Sequence, residues 1–294
     1  MGIFGNDAAP GIQKVTWNSG SKVHEYTPLK GWHASMKYAF FAWYPDTFLV
    51  ANGGNATNYI GAPYVTYTLP NGIGSTRSER ESMRDVMTAC RIDYLKSDGL
   101  SVPLKMEHRL AVLDIFAVSM VNAKSLNEIW IEKEGFDSLP DAAVVTIDVS
   151  NLSLTLNGSI YKSVKIPLNT ADDTEKMVAL DSVTTGITCT GFDGVTGMLY
   201  YDSADKRVSL TGDNEKLILI PQTSTITAKV TGSYTIRCGE LSESYPISSD
   251  NIHIYGLSEG VYHYLLLTFT KSGVFVQVAE NETWINTKVE HEFN

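Results

Sequence analysis

The chain has 294 residues, of which 43% are apolar and 19% are charged, and its formal net charge at pH 7 is −10. This length suits two domains of ordinary size or one large β domain, and the apolar fraction is sufficient for a buried core. The acidic balance, without any cluster of Lys and Arg, excludes a nucleic-acid-binding protein, because phosphate groups require concentrated positive charge. No apolar run approaches the roughly 20 residues that span a bilayer, and the first ten residues do not form a secretory signal peptide.

The first part of the chain predicts strands that are separated by polar turns. The run from Trp32 to Tyr44 carries apolar side chains at alternate positions and stops at Pro45, which is typical of a strand. Residues 51–80 are rich in Gly, Asn, Thr and Pro, and they predict a long exposed excursion around one short strand, Tyr64–Leu69. Ser78–Leu95 is the best helix candidate, with a mostly coiled segment as the alternative.

The stretch from Val102 to Met120 is the segment around which the rest of the chain is organised. Its even positions up to Val112 are apolar except for His108, and the odd positions 105, 107 and 109 are charged. From Leu110 onward both faces are apolar, which predicts a strand that enters between two layers. A helix is the rival interpretation, because five apolar residues also recur at helical spacing: Met106, Leu110, Leu113, Ala117 and Met120. We favour the strand because the alternation begins directly after Pro103.

The second part of the chain predicts a series of short strands. Asn127–Lys133 alternates and predicts a strand, and the turn-rich segment Gly135–Asp141 that follows is the clearest break. We therefore expect an N-terminal domain at residues 1–139 and a C-terminal domain at residues 140–294. Strands are predicted at 143–149, 153–156, 160–167, 197–201, 207–210, 216–221, 225–230, 233–238, 252–255, 262–269 and 274–279. This pattern predicts an all-β fold of antiparallel sandwiches with at most one or two short helices.

The sequence contains no recognisable catalytic, cofactor-binding or metal-binding motif. Nucleophile elbows, phosphate-binding glycine loops and paired metal-ligating histidines are all missing from the sequence, so we expect neither an enzyme nor a cofactor. His108 lies on the inward face of its strand. A neutral imidazole bonded to a backbone carbonyl or a Tyr hydroxyl is favoured over a general base, because no acid is near in sequence. Arg109 is expected at the rim of the sheet.

Two groups of residues resemble ligand sites, and in both cases a structural role is favoured. The acids Asp172, Asp173 and Glu175 lack the alternating oxygen ligands and the glycine of a calcium loop, so a solvated turn is expected. Three tyrosines have the aromatic rings that stack on sugars, but core or loop-anchoring duty is the expected role of each: Tyr59, Tyr64 and Tyr67.

The three cysteines are Cys90, Cys189 and Cys238, and their wide spacing excludes both a metal-binding motif and a disulfide scaffold. Buried free thiols are the favoured interpretation. A bridge between Cys189 and Cys238 stays open at this stage.

Six fragments along most of the chain carry motifs: AFFAWYP (39–45), RDVMTA (84–89), VPLKMEHRLAVLDI (102–115), LILIPQ (217–222), TITAKV (225–230) and YLLLTFTKSGVFVQVAENETW (264–284). Together, and in this order, they resemble the fimbrillin-like family of Bacteroidales pilins. His108-Arg109-Leu110 and Pro221-Gln222 belong to the central motifs. Two positions depart from the family pattern, because Met106 replaces the usual Phe and Val112 stands where Lys is common.

This resemblance implies two transthyretin-like β-sandwich domains in a cell-surface or extracellular protein that is exported as a lipoprotein. Such proteins are stalk, tip or anchor subunits of pili. Their first strand is removed by a trypsin-like protease, and a strand from a neighbouring subunit fills the vacated groove by β-strand addition. A chain that begins at Gly2-Ile3-Phe4 is consistent with a lost leader. Attachment to the outer membrane would depend on a lipid anchor outside this chain.

The expected partners are other pilin subunits, by homo- or hetero-assembly, together with a host or bacterial surface ligand. Packing in its own sandwich is the favoured duty of the last strand, whose apolar residues are also the candidate partner-binding residues: Val274, Val276, Val278 and Trp284. His108, Arg109, Leu110, Pro221 and Gln222 are assigned a structural role. The alternative function is a surface lipoprotein that binds glycans through an aromatic platform on the sandwich.

Overall fold

The computed structural model describes most of the chain, and the prediction of an all-β fold with at most two short helices is confirmed. The described residues are 2–5, 8–12, 15–21, 23–26, 34–45, 50–52, 63–99, 101–133, 135–171, 176–192, 195–200, 207–211 and 216–281. Among them, no helix has both the length and the apolar character needed to cross a bilayer.

The regular elements of the described residues are 22 strands, two α-helices and one 3₁₀ turn at Lys96–Asp98. The strands of the first part are β1 Gly2–Gly5, β2 Ala8–Ile12, β3 Val15–Asn18, β4 Val23–Tyr26, β5 Tyr38–Tyr44, β6 Val50–Asn52, β7 Pro63–Thr68, β8 Met87–Tyr94, β9 Glu107–His108 and β10 Ala111–Ser119. The helices are α1 Arg77–Ser82 and α2 Ala123–Trp130.

The strands of the second part are β11 Val145–Asn157, β12 Ile160–Pro167, β13 Val178–Val183, β14 Ile187–Cys189, β15 Val195–Tyr200, β16 Val208–Ser209, β17 Leu217–Leu219, β18 Ile226–Cys238, β19 Leu241–Ser248, β20 Ile252–Ile254, β21 Tyr262–Thr270 and β22 Gly273–Asn281.

The strands form four larger sheets and a separate β3–β4 hairpin. Sheet I has the order β2-β1-β5-β8-β9, and sheet II has the order β13-β12-β7-β6. In sheet III the order is β16-β10-β21-β22, with β17 also paired to β10. In sheet IV the order is β14-β11-β18-β19, with β15 paired to β11 and β20 paired to β18. All pairings are antiparallel except that of β10 with β21, which is parallel.

One hydrophobic core connects all four sheets. It contains fully buried residues from each of them, for example Phe41 in sheet I, Val65 in sheet II, Leu113 in sheet III and Leu154 in sheet IV. Because this core is continuous, the sheets stabilise one another by sharing buried apolar surface. A second, small cluster around Phe40 and Tyr94 lies apart from it.

The central segment forms a strand, as predicted, and not a helix. Its regular part is β10, in which Ala111 to Ile115 are all buried. The residues between Val102 and Met106 are extended but do not pair in a sheet, and β9 contributes only a short pairing at Glu107 and His108. β10 pairs with β21 along one edge and with β16 and β17 along the other, so strands flank it on both sides.

The helix predicted at Ser78–Leu95 is wrong beyond its first turns. Helix α1 begins after Thr76, whose hydroxyl accepts a hydrogen bond from the Glu79 N–H, and it ends at Ser82. From Met87 onward the chain is strand β8, which pairs with β5 from residue 38 to 44. A helix would have left that edge of β5 unpaired. The pairing between distant segments therefore decides the structure here, and not the local helical pattern of the sequence.

The strand predicted at Asn127–Lys133 is also wrong, because most of this segment belongs to helix α2. Asn122 caps the helix with its side-chain oxygen, which accepts from the Ser125 N–H at 2.9 Å. Three buried residues then recur at helical spacing: Ala123, Leu126 and Trp130. The alternation of isoleucines around Trp130 is therefore coincidental.

The predicted strands of the second part are present, but two pairs of them are continuous. Residues 143–149 and 153–156 fall in β11, and residues 225–230 and 233–238 fall in β18, which lie side by side. Their register shifts between Ser150 and Ser153, where Asn151 has a φ of 53°. This β-bulge interrupts the alternation of the sequence, which explains why two separate strands were predicted where β11 is continuous. Strands β13, β14 and β19 were not predicted.

Main-chain pairing crosses residue 139 in two sheets. β7 pairs with β12 in sheet II, and β10 pairs with β16, β17 and β21 in sheet III. The pairing of β10 with β21 places these two strands in one sheet. The division at residues 1–139 and 140–294 stays a prediction.

Arg80 is a buried cation that ties α1 to a distant segment. It is 2% exposed, and its guanidinium donates to the carbonyls of Gly74, Thr190 and Gly191 at 2.9 to 3.0 Å. The guanidinium carbon also lies 4.1 Å from the ring centre of Phe192. Three carbonyl acceptors thus depend on one side chain for their hydrogen bonds.

We expect Arg80→Met to lower the free energy of unfolding by about 2–4 kcal/mol, because buried carbonyl groups lose their donors. The matched control is Arg77→Met on the exposed side of the same helix, which should change stability by about 0.5 kcal/mol or less. Chemical denaturation of both variants checks this. Equal losses from the two variants would contradict a structural role for the buried guanidinium.

Candidate functional site

The last described strand, β22, lies at an edge of sheet III. It pairs with β21 on one side, and no described strand pairs with its other side. Val274, Val276 and Val278 are half-buried and pack against the main core, whereas Phe275 between them is 55% exposed. The valines therefore pack against the core of their own chain, while no strand among the described residues pairs with the outer edge of β22. Trp284 lies outside the described residues.

The first two strands cover one edge of β5. β1 pairs with β5 from Gly2 opposite Phe41 to Gly5 opposite Tyr38, and β2 pairs with the outer side of β1. On the other side of β5 lies β8. Without the β1–β2 hairpin, the N–H and C=O groups of β5 on that side would lose their pairing partners among the described residues.

His108 forms a close pair with an acid that the sequence did not suggest. Its Nδ1 lies 2.6 Å from Oδ2 of Asp85, and both side chains are mostly buried. The sequence analysis found no acid near in sequence, and pairing of β9 with β8 brings this one close from a distant segment. The contact joins the end of sheet I to the start of β10.

Arg109 is buried and not at the rim of a sheet. It is 8% exposed, its N–H donates to the Val86 carbonyl at 2.7 Å, and its Nη1 lies 2.5 Å from Oε1 of Glu259. Burial raises the pKa of Glu259, although the nearby Arg109 opposes this shift. Leu110 is fully buried, and its carbonyl accepts from the Gly260 N–H at 3.0 Å.

Gln222 is a buried amide whose hydrogen-bonding groups all have partners. Its Nε2 donates to the Ser159 carbonyl at 2.8 Å and the Ser224 hydroxyl at 2.7 Å, and its Oε1 accepts from the Tyr161 N–H. Its main chain exchanges two hydrogen bonds with Leu257, while the neighbouring Pro221 is half-buried. Both sequence motifs thus contact the turn at residues 257–260.

A buried polar group on β10 escaped the sequence analysis. Asp114 is fully buried, and its carboxylate accepts hydrogen bonds from the hydroxyls of Ser209, Thr211 and Tyr262. The ammonium of Lys216 lies 4.0 Å away. The sequence did contain a signal, because Asp114 is the one acid in the apolar run from Ala111 to Val118. A buried carboxylate needs hydrogen-bonding partners.

The candidate ligand-binding residues do not come together. Tyr67 is buried, and this burial raises its pKa well above the ordinary range. Tyr64 is half-buried, with the Lys165 ammonium 4.0 Å from its ring centre, so neither ring presents an open face for a sugar. Outside the described residues lie Tyr59 and the acids Asp172, Asp173 and Glu175. Within the described part of the chain, no three acidic, Cys or His side chains form a metal site.

The three cysteines are free thiols. Cys189 lies opposite Leu154 of β11, whereas Cys238 lies opposite Val145 of the same strand. Nine residues of strand separate these positions by roughly 30 Å, which excludes a disulfide. Burial raises the pKa of Cys189 to about 11.

The fold is similar to that of a solved fimbrial protein. A fimbrial protein from Bacteroides vulgatus superposes with a TM-score of 0.62 at 18% identity, over 93% of this chain and 85% of that one. A proposed cell adhesion protein from Bacteroides uniformis has a TM-score of 0.44 at 17% identity, over 97% and 91% of the two chains. No family model matches the sequence, and no curated protein matches it.

At this level of identity, the likeness to the fimbrial protein establishes the fold alone. The resemblance to fimbrillin-like proteins that the sequence fragments carry is confirmed in that respect, because the order of elements agrees over most of both chains.

Gly260 tests the contact between the central motif and the turn. It has a φ of +67°, and a Cβ there would lie 3.0 Å from the His108 carbonyl oxygen. Gly239 has a similar φ of +60° with no atom within 4 Å of such a Cβ. We expect Gly239→Ala to cost about 1 kcal/mol and Gly260→Ala about 2–3 kcal/mol in unfolding free energy. If denaturation showed equal losses of unfolding free energy for the two variants, the close approach of residue 260 to the His108 carbonyl would not contribute to stability.

The thiols should differ in reactivity. At pH 8, with a pKa of about 11, roughly one Cys189 side chain in a thousand is thiolate, so native Cys189 should resist iodoacetamide. Half-buried Cys90 should react first, and all three should react in denaturant. Peptide mass spectrometry after timed labelling measures this order. Fast native labelling of Cys189 would contradict its burial.

Proposed function

We propose that the chain is a structural subunit of a pilus, or an adhesion protein, at the cell surface, with no catalytic role. The fold it shares with a fimbrial protein supports this role. The partners are then other subunits of the same assembly, and a host or bacterial surface ligand at its tip. Attachment to the outer membrane would use a lipid anchor outside this chain.

We propose further that assembly uses β-strand addition after N-terminal processing. The observation that carries this step is the position of β1, which occupies one edge of β5. Release of β1 would expose one row of main-chain groups on β5, whose side chains at Ala39, Phe41 and Trp43 are already buried in the core. A strand from a neighbouring subunit can then pair with β5 in place of β1.

A basic residue just after β2 agrees with such processing. Lys14 lies two residues beyond the end of β2. A trypsin-like cut there would release β1 and β2 together and leave β5 in place. The last strand, with Val274, Val276, Val278 and the following Trp284, is the proposed partner-binding segment.

Limited trypsin treatment of the intact chain, followed by light scattering on a sizing column, tests this assembly. We expect loss of residues 1–14 to produce species larger than dimers, whereas the intact chain forms none. An excess of the synthetic 1–14 peptide should suppress this growth, because it refills the β5 edge. The control is the same peptide with Phe4→Pro, which disrupts strand pairing and should suppress less. A cleaved chain that never grows would contradict strand addition at β5.

A further inference from the structure

The open edge of β22 differs from the other sheet edges. Among the outermost strands of the described residues, only β19 and β22 exceed six residues, with eight and nine. β19 contains Glu243 and Pro246, and features of this kind protect edges against pairing with another chain. From Gly273 to Ala279, β22 has no proline and no charge, and its pairing with β21 is regular throughout. Among the described residues, β22 therefore lacks these protective features, and β20 of sheet IV contacts β22 without pairing with it.

The valines of β22 carry the main-chain groups that face this edge. The Phe269 carbonyl accepts from the Met120 N–H at 2.8 Å, so Phe269 directs its main chain toward β10. Neighbouring residues alternate, and Thr268 and Thr270 therefore face β22, where they pair with Phe275 and Gly273. The N–H and C=O groups of Val274, Val276 and Val278 consequently point away from β21.

We infer that two copies of the chain associate by antiparallel pairing of their β22 edges, with Val276 of one copy opposite Val276 of the other. This register places Val274 opposite Val278 of the second copy, so all three valines exchange main-chain hydrogen bonds. If the two-fold axis passed through residue 275 or 277 instead of Val276, only two valines of each copy would lie opposite a valine of the other copy. The valine pattern is symmetric about Val276, which makes the edge self-complementary.

The side chains and charges agree with this register. On the inner face, valine meets valine and extends the apolar layer of the core. On the outer face, Phe275 of one copy lies opposite Gln277 of the other. At each end, position 280 falls opposite Ser272 of the second copy and next to Lys271, whose ammonium also pairs with Glu128 of its own copy, so no like charges meet there.

The expected association is weak, because one strand pair buries far less than the about 1,200 Å² of a standard interface. A net charge of −10 on each copy also opposes it, so higher salt should strengthen the dimer. This inference rests on the partner-binding role proposed for the last strand and names the partner. It does not depend on release of β1, which acts at β5.

Sedimentation of the intact chain from micromolar to millimolar concentration tests the inference. We expect a monomer–dimer equilibrium. Two double variants test the register at exposed positions: Phe275→Lys with Gln277→Lys places like charges opposite each other across the dimer, and Phe275→Lys with Gln277→Glu places opposite charges there. The first variant should dimerise about tenfold more weakly than the second. Matching thermal unfolding of the two variants serves as the control for folding.

A strictly monomeric wild-type chain would overturn the inference, as would equal dimerisation of the two variants. Growth past the dimer that both variants leave unchanged would also overturn it, because the edge would then take a different strand. Because the uncleaved chain is used, none of these results bears on strand addition at β5.

Discussion

The structure depends on one strand, β10, that is buried on both faces and paired on both edges. Its eight-residue parallel pairing with β21 brings a segment near the middle of the chain beside one near the end. On its other edge, β17 pairs with Ala111 to Leu113 and β16 with Phe116 and Ala117. Because both edges of β10 are paired and its residues from Ala111 to Ile115 are buried, this strand lies at the centre of the fold.

The two sequence motifs support this arrangement at the entry to β10. Arg109 and Leu110 contact Glu259 and Gly260, while Gln222 pairs with Leu257 of the same turn. That turn leads directly into β21, so the contacts fix where the parallel partner begins. The pair of buried Arg109 with the more exposed Glu259 is weak evidence for stability, but it specifies register, because a shifted β21 would leave the buried guanidinium without this partner.

The sequence predicted what depends on local pattern. β10, β12 and most strands of the second part were found from alternation and turn residues. α2 was missed, because NEIWIEK alternates by chance while its cap at Asn122 lies outside that run. β8 was mistaken for helix, because its state depends on pairing with β5, more than 40 residues away.

Buried polar residues were harder to place from sequence, because their partners are far away in the chain. Arg80 finds its carbonyl acceptors 110 and 111 residues on, and Asp114 finds Thr211 and Tyr262 at separations of 97 and 148 residues. Sequence spacing carries no information about such contacts. It does show a charge in an apolar run, which indicates that a partner must exist.

The central functional claim is that the main-chain edge of β5 is exchangeable, whereas β10 is permanent. Hydrogen exchange of the amides in residues 38–44 tests it most directly, with residues 111–119 as the internal reference. The account predicts that loss of residues 1–14 removes protection from alternate amides of β5, that assembly restores it, and that β10 stays protected throughout. Unchanged protection of β5 after the hairpin has been released would contradict the account.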